Sequence, residues 1–212
     1  MLTVWGRANS SNVQKVMWLI GELGLEHKRI DAGHMYGKTD TADYRAMNPQ
    51  GLVPTLVDGD LVLPESNAIL RYLIAREGAT QFYPSDPKQA ATVDRWVEFA
   101  QQSFLRAFVD IFWLVMRTKP SDLDRDKLSS LMQAIAPLSL ILDQRLAISP
   151  FIAVDHLSLA DFILSCQLYR YYTMDLDRPE RPHLAAYYQR LTERPAYRQH
   201  VMVDYLALQV TT

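Results

Sequence analysis

Cysteine occurs once in 212 residues, at Cys166. That excludes an intramolecular disulfide, argues against a cysteine-ligated metal site and fits a reducing compartment, the cytoplasm by default. Excess charge of one sign is also missing. Lys and Arg number 22 against 24 Asp and Glu, a net charge of −2 with no long run of either sign, so no nucleic-acid footprint is present. Long apolar runs are absent as well. Leu2 to Trp5 is too short for the apolar region of a signal peptide, and Phe104 to Met116 is short and interrupted by Arg106 and Asp110. Neither secretion nor membrane insertion is expected. Glycine is missing from one part of the chain: all 8 glycines precede residue 79. Glycine serves tight turns, helix ends and close backbone approach, so its disappearance marks a change of architecture, with a boundary near residues 80 to 88.

Familiar sites are missing too. There is no Gly-x-Gly-x-x-Gly, no phosphate loop and no Gly-x-Ser-x-Gly elbow, and the 5 histidines do not fall at ligand spacing, so no metal is expected. What is present before the boundary reads as a small α/β unit. The β-prone run Leu2 to Trp5 leads through a polar turn into Val13, Val16, Met17, Ile20 and Leu23 at helical spacing, ended by Gly24. Ser11 with Gln14 forms a capping-box start. A second strand follows at His27 to Ile30, then a loop from Asp31 to Asp43. Leu52 to Val57 and Leu61 to Leu63 flank Asp58-Gly59 as a hairpin, and Glu65-Ser66 opens a helix through Leu73 to Gly78. After Asp86-Pro87 the pattern is helical throughout: Lys88 to Arg117, Asp124 to Leu146 with a kink expected at Pro137, Leu159 to Thr173, His183 to Glu193 and Ala196 to Leu206.

Three local features carry chemistry. Ser10-Ser11-Asn12 opens the first helix, where backbone N–H groups and the helix dipole favour an anion; taken alone, a plain N-cap is the simpler reading. If the anion is a thiolate, a hydroxyl donor and a helix N-terminus lower a thiol pKa from near 8.5 by roughly one to two units. Val53-Pro54 opens a strand with a residue that cannot donate to a sheet ladder. It is either an edge proline or a cis bond that turns the Val53 backbone outward to pair with an extended ligand. Glu65-Ser66 caps the following helix and offers a carboxylate beside a helix N-terminus.

Taken together, Ser10-Ser-Asn-Val-Gln-Lys-Val16, Asn48-Pro-Gln-Gly-Leu-Val-Pro54, Glu65-Ser-Asn-Ala-Ile-Leu-Arg-Tyr-Leu73 and Ser158-Leu-Ala-Asp161 resemble the cytosolic glutathione S-transferases over the whole chain, and among them the bacterial theta- and phi-like branch with a serine or asparagine at the thiol. The resemblance implies an α/β thioredoxin-like N-terminal domain at 1–80 and an all-helical C-terminal domain at 88–212. It implies glutathione as co-substrate and no metal. Ser10 and Asn12 become the thiol-activating pair. Val53 ahead of a cis-Pro54 pairs with the cysteinyl unit, Glu65 and Ser66 hold the γ-glutamyl ammonium and carboxylate, and Lys38 is a candidate for the glycyl carboxylate. A homodimer is implied, with Gln102, beside Gln101 and Ser103, approaching the partner's glutathione. The tyrosine and cysteine used at the thiol by other classes are absent, and Cys166 reads as a core residue.

The electrophile is expected between the domains, beside the helical stripe Phe104, Phe108, Ile111, Phe112 with Trp113, where Arg7, Arg106 and Arg117 could meet an anionic substrate; the same stripe also reads as core packing. The expected activity is conjugation of the glutathione thiolate to a small apolar electrophile. Glutathione-dependent peroxide or disulfide reduction, and a non-catalytic glutathione-binding scaffold, remain as alternatives.

Overall fold

The computed structural model describes residues 1–210; positions 211 and 212 of the expected helical domain lie outside the described residues. In chain order the elements are β1 (Leu2–Trp5), α1 (Ser11–Leu23), β2 (His27–Ile30), α2 (Ala42–Met47), β3 (Thr55–Asp58), β4 (Leu61–Pro64), α3 (Ser66–Arg76), α4 (Pro87–Glu98), a π-helical stretch Phe99–Phe104, α5 (Leu105–Met116), α6 (Arg125–Leu146), α7 (Leu159–Thr173), α8 (Pro182–Thr192) and α9 (Pro195–His200). The α/β part followed by an all-helical part is the fold class that the sequence pattern implies. The chain divides into two compact units: Met1–Thr80 with Arg194–Val203, and Gln81–Glu193 with the segment from Asp204 onward.

In the first unit a four-stranded sheet runs in the order β2-β1-β3-β4. β1 pairs parallel with β2 and antiparallel with β3, and β3 pairs antiparallel with β4. The helix α1 buries Val13, Val16, Met17, Trp18, Leu19 and Ile20, a wider face than a surface helix shows, and ends where Gly24 takes φ 62° and donates to the Ile20 and Gly21 carbonyls. Its N-cap is Ser10, one residue earlier than the capping-box reading of Ser11, and the Ser10 side chain does not cap. Two more departures from the sequence reading have local causes. α2 forms in the region after the expected loop because Thr41 caps it, accepting from Tyr44 N–H at 3.3 Å. β3 begins at Thr55, because Val53-Pro54 is a cis bond and the ladder starts only after it.

The last helix also departs from expectation. Instead of Ala196 to Leu206 it spans only Pro195–His200, and it belongs to the first unit rather than to the helical one. The reason is packing against α1. Arg194 donates to both Glu22 carboxylate oxygens, and Tyr197 lies edge-on to Trp18 at 4.9 Å. A β-carbon on Gly21 would meet His200 Cδ2 at 2.9 Å, so the glycine is what lets the two helices approach.

In the second unit Asp86 caps α4, accepting from Lys88 and Gln89 N–H, with Pro87 at the first helical position. The expected single helix 88–117 is continuous but contains the π-helical stretch. α7 is buried around almost its whole circumference from Leu159 to Leu168, and Cys166 is buried within it. Its capping box is closed by Asp161, fully buried, which accepts from Ser158 N–H and Oγ, Ile152 N–H and the Tyr187 hydroxyl at 2.6–3.1 Å. α6 continues through Pro137. No described helix is long and apolar enough to cross a membrane.

Candidate functional site

The register of the sheet brings three loops to one end of it. Trp5, the last residue of β1, pairs with Thr55, the first of β3, and Thr55 pairs with Pro64, the last of β4. The turn leading to Ser10, the Val53-Pro54 bond and the Glu65-Ser66 step therefore lie side by side.

Ser10 is 9% exposed, and its hydroxyl holds no hydrogen bond among the described residues, although its N–H donates to Arg7 O and its carbonyl accepts from Gln14 N–H. A hydroxyl at a helix N-terminus that is not used for capping is free to serve a ligand. Asn12, the second residue of α1, is exposed. Glycine shapes the turn before Ser10: Gly6 has φ 154°, and a β-carbon there would stand 2.4 Å from Val13 Cγ2 and 3.3 Å from Val53 Cβ. Arg29 fixes the same turn by donating to Gly6 O at 2.8 Å.

The Val53-Pro54 bond is held from behind. Leu52 O accepts from the Tyr44 hydroxyl at 2.7 Å and from Asn48 Nδ2 at 2.9 Å, while Asn48 Oδ1 accepts from Gln50 N–H. Tyr44 and Asn48 are buried, and burial pushes the Tyr44 phenol up. Sequence reasoning saw Asn48-Pro-Gln-Gly as turn chemistry but not the Asn48 side chain's function, and missed Tyr44 because its helix was not foreseen.

Glu65 is exposed and sits at φ 71°, left-handed backbone that a non-glycine residue adopts at a cost of about 1–3 kcal/mol. Its Oε1 accepts from Gln50 Nε2 at 3.3 Å, a partner that the sequence reading did not name. Ser66, 7% exposed, is the first residue of α3, whose N-terminus adds the positive end of a helix dipole. A carboxylate beside a helix N-terminus and a hydroxyl suits a zwitterionic amino-acid head: the acid takes the ammonium and the helix end takes the carboxylate.

The other expected residues divide. Lys38 is exposed at φ 70°, and its Nζ donates to Asp31 O at 2.9 Å, so it ties down its own loop. Arg7 is half-buried, its Nε has no hydrogen-bond partner among the described residues, and burial pulls its pKa down from the usual arginine range. Gln102 is exposed on the π-helical stretch. Phe104 and Phe108 do not wall a cavity: both are 0% exposed, edge-on to Tyr171 at 5.7 and 5.8 Å in the core of the helical unit. Their spacing produced a buried stripe, which is the packing reading of the same pattern. Trp113 is half-buried under the exposed Arg117 guanidinium, 4.0 Å from the ring centroid, a cation–π pair rather than a free arginine. Arg106 is exposed. Among the described residues no group of three or more His, Cys, Asp or Glu gathers where a metal could be held.

Comparison with known proteins matches both parts of the chain. Residues 1–75 fit the family described as glutathione S-transferase, N-terminal domain, and residues 105–195 fit the glutathione S-transferase, C-terminal domain. The glutathione S-transferase GstB of Escherichia coli (strain K12) is 38% identical over 205 residues, covering 96% of this chain and 99% of that one. Glutathione S-transferase 3 of Zea mays is 29% identical, covering 94% and 93%. Among solved structures, the theta class glutathione S-transferase of Xanthomonas axonopodis pv. citri with glutathione bound superposes with a TM-score of 0.90 at 41% identity, covering 96% of this chain and 98% of that one.

Proposed function

Because the chain belongs to the glutathione S-transferase family, we propose that it binds glutathione at the sheet end bearing Ser10, Val53-Pro54 and Glu65-Ser66 and conjugates the glutathione thiolate to a small apolar electrophile. The observation that carries the reading is the register Trp5, Thr55 and Pro64, which assembles these loops from three separate parts of the chain. Glu65 takes the γ-glutamyl ammonium, and Ser66 with the α3 N-terminus takes the adjoining carboxylate. The Val53 backbone pairs with the cysteinyl unit. Lys38, with one N–H donor given to Asp31 O, offers its others to the glycyl carboxylate.

The cysteinyl thiol then lies at the N-terminus of α1, where the Ser10 hydroxyl donates to the sulfur. The thiol loses its proton to solvent, and the thiolate forms a C–S bond to the electrophilic carbon. A leaving group departs with the displaced electron pair, or an acceptor double bond takes the pair and is protonated. Donation to the anion, assisted by the helix dipole, lowers the thiol pKa, each unit being about 1.4 kcal/mol. Asn12, exposed at the same helix start, is the second donor. The chain works as a cytoplasmic homodimer, in which Gln102 reaches toward the partner's glutathione.

Replacing Ser10 by Ala tests the assignment. The apparent pKa in the pH profile of kcat/KM with an aryl halide is expected to rise by about one unit. An unchanged profile would remove Ser10 and leave Asn12 as the donor. Hydroperoxide or mixed-disulfide turnover exceeding that of the aryl halide would replace conjugation by reduction.

A further inference from the structure

We propose that Arg29 is a positioning residue for the thiol chemistry: its guanidinium fixes the Gly6 peptide at the head of the turn to Ser10, and so aims the Ser10 hydroxyl. The inference rests on the reading of Ser10 as the donor to the glutathione thiolate and names what holds that donor in place.

Backbone pairing anchors part of the turn between β1 and α1. Gly6 N–H donates to Ile30 O at 2.8 Å and Arg7 N–H to Ala32 O at 3.1 Å, which carries the pairing of β1 with β2 past Trp5. Ser10 N–H donates to Arg7 O at 3.2 Å and closes the turn. The Gly6 carbonyl is taken by a side chain instead: Arg29 Nη1 donates to it at 2.8 Å. The same guanidinium grips Asp31, Nη1 donating to Oδ1 and Nη2 to Oδ2 at 3.5 Å, with both side chains half-buried. Asp31 is pinned in turn, because its backbone carbonyl accepts from Lys38 Nζ at 2.9 Å. A planar fork set on a fixed carboxylate can hold a carbonyl in one place, which a single flexible ammonium does not. The Asp31 carboxylate also offsets the guanidinium charge, so Arg29 acts on the thiol by position rather than by its field.

Position at Gly6 is passed on because its neighbours leave no slack. A β-carbon there would stand 2.4 Å from Val13 Cγ2 and 3.3 Å from Val53 Cβ, so the bare glycine is wedged between the first turn of α1 and the residue ahead of the cis bond. Val13 is itself fully buried. The Ser10 hydroxyl does not cap its own helix, so its aim depends on where the turn puts it. Misplacement of a reacting group by about 1 Å is enough to lose most of such a contact.

The test titrates the ultraviolet absorbance of bound glutathione thiolate against pH, at saturating glutathione, in the full-length protein. The wild type is compared with Ser10→Ala, Arg29→Met, Arg29→Lys and the double variant Ser10→Ala/Arg29→Met. Arg29→Met is expected to raise the thiol pKa by about half a unit or more. Arg29→Lys, which keeps the charge without the planar fork, is expected to fall between Arg29→Met and the wild type. In the Ser10→Ala background, Arg29→Met is expected to add less than about 0.2 unit, because both changes remove the same bond to sulfur. If Arg29→Met fails to fold, Asp31→Asn carries the test: it loosens the fork, and its pKa rise is expected to vanish in the Ser10→Ala background. A shift in Ser10→Ala with none in Arg29→Met would overturn this inference alone. Additive shifts in the double variant would do the same, since Arg29 would then act by charge and not through Ser10. An unshifted Ser10→Ala would remove Ser10 as the donor, and this inference with it.

Discussion

At the scale of the residue, Glu65 is the sharpest case. Glu65, exposed and held at φ 71°, accepts from Gln50 Nε2 and makes no ion pair among the described residues, which suits the role proposed for it toward the γ-glutamyl ammonium. Glu65→Ala is expected to raise KM for glutathione about tenfold with a much smaller change in kcat, because the lost ammonium contact is made equally in the ground and transition states. Steady-state kinetics with glutathione varied would check this; a fall in kcat at unchanged KM would contradict it. Among the site candidates, Val53-Pro54 stood out in the sequence because a proline at a strand start breaks a local rule, whereas Ser10 and Glu65 read as ordinary polar groups at helix starts until the resemblance joined them. Gln50 and Tyr44 were not, because their roles depend on partners 15 and 8 residues away that only the folded loop brings near. Phe104 and Phe108 stayed ambiguous for another reason: an apolar stripe at helical spacing reads the same whether it faces a core or a cavity, and burial favours the core.

At the scale of the element, Asp161 holds the start of α7. Its carboxylate gathers donors from Ser158, Ile152 and Tyr187 and is fully buried, and that burial pushes its pKa above the usual carboxylate range. Asp161→Ala would strand buried donors in an apolar setting. A loss of about 3 kcal/mol or more is expected in urea unfolding, with Asp161→Asn losing less because it keeps an acceptor. Equal stability of the two variants would show that shape, not hydrogen bonding, matters there. The Ser-x-x-Asp spacing announced this cap in the sequence. The π-helical stretch at Phe99–Phe104 had no such signal, since a change of hydrogen-bond register inside a continuous helix leaves the apolar pattern almost intact.

At the scale of the whole molecule, the chain returns after the helical unit to complete the first one. α9 closes on α1 through Arg194 and Glu22, Tyr197 and Trp18, and His200 beside Gly21. His200 is half-buried 6.2 Å from His27, and burial, then the His27 and Arg29 charges, lower its pKa. The unfolded chain therefore takes up this proton first as pH falls, so the contribution of neutral His200 is present above the unfolded value near 6.5 and is lost as pH drops through and below it. The urea midpoint is expected to fall between pH 7.5 and 5.5 more steeply in the wild type than in His200→Gln; parallel slopes would exclude His200 as the cause. By itself the sequence determined the change from glycine-using α/β to glycine-free helices and the order of the main elements apart from α2, because periodicity, turn chemistry and capping are local; the candidate glutathione-facing residues came from motifs that resemble the family. Only the tertiary structure decided that the last helix joins the first unit, that three loops share one sheet end, and that Arg29 reaches from β2 to the Gly6 carbonyl. Strand register and helix packing pair residues far apart in the chain, and no local pattern encodes which distant partner wins.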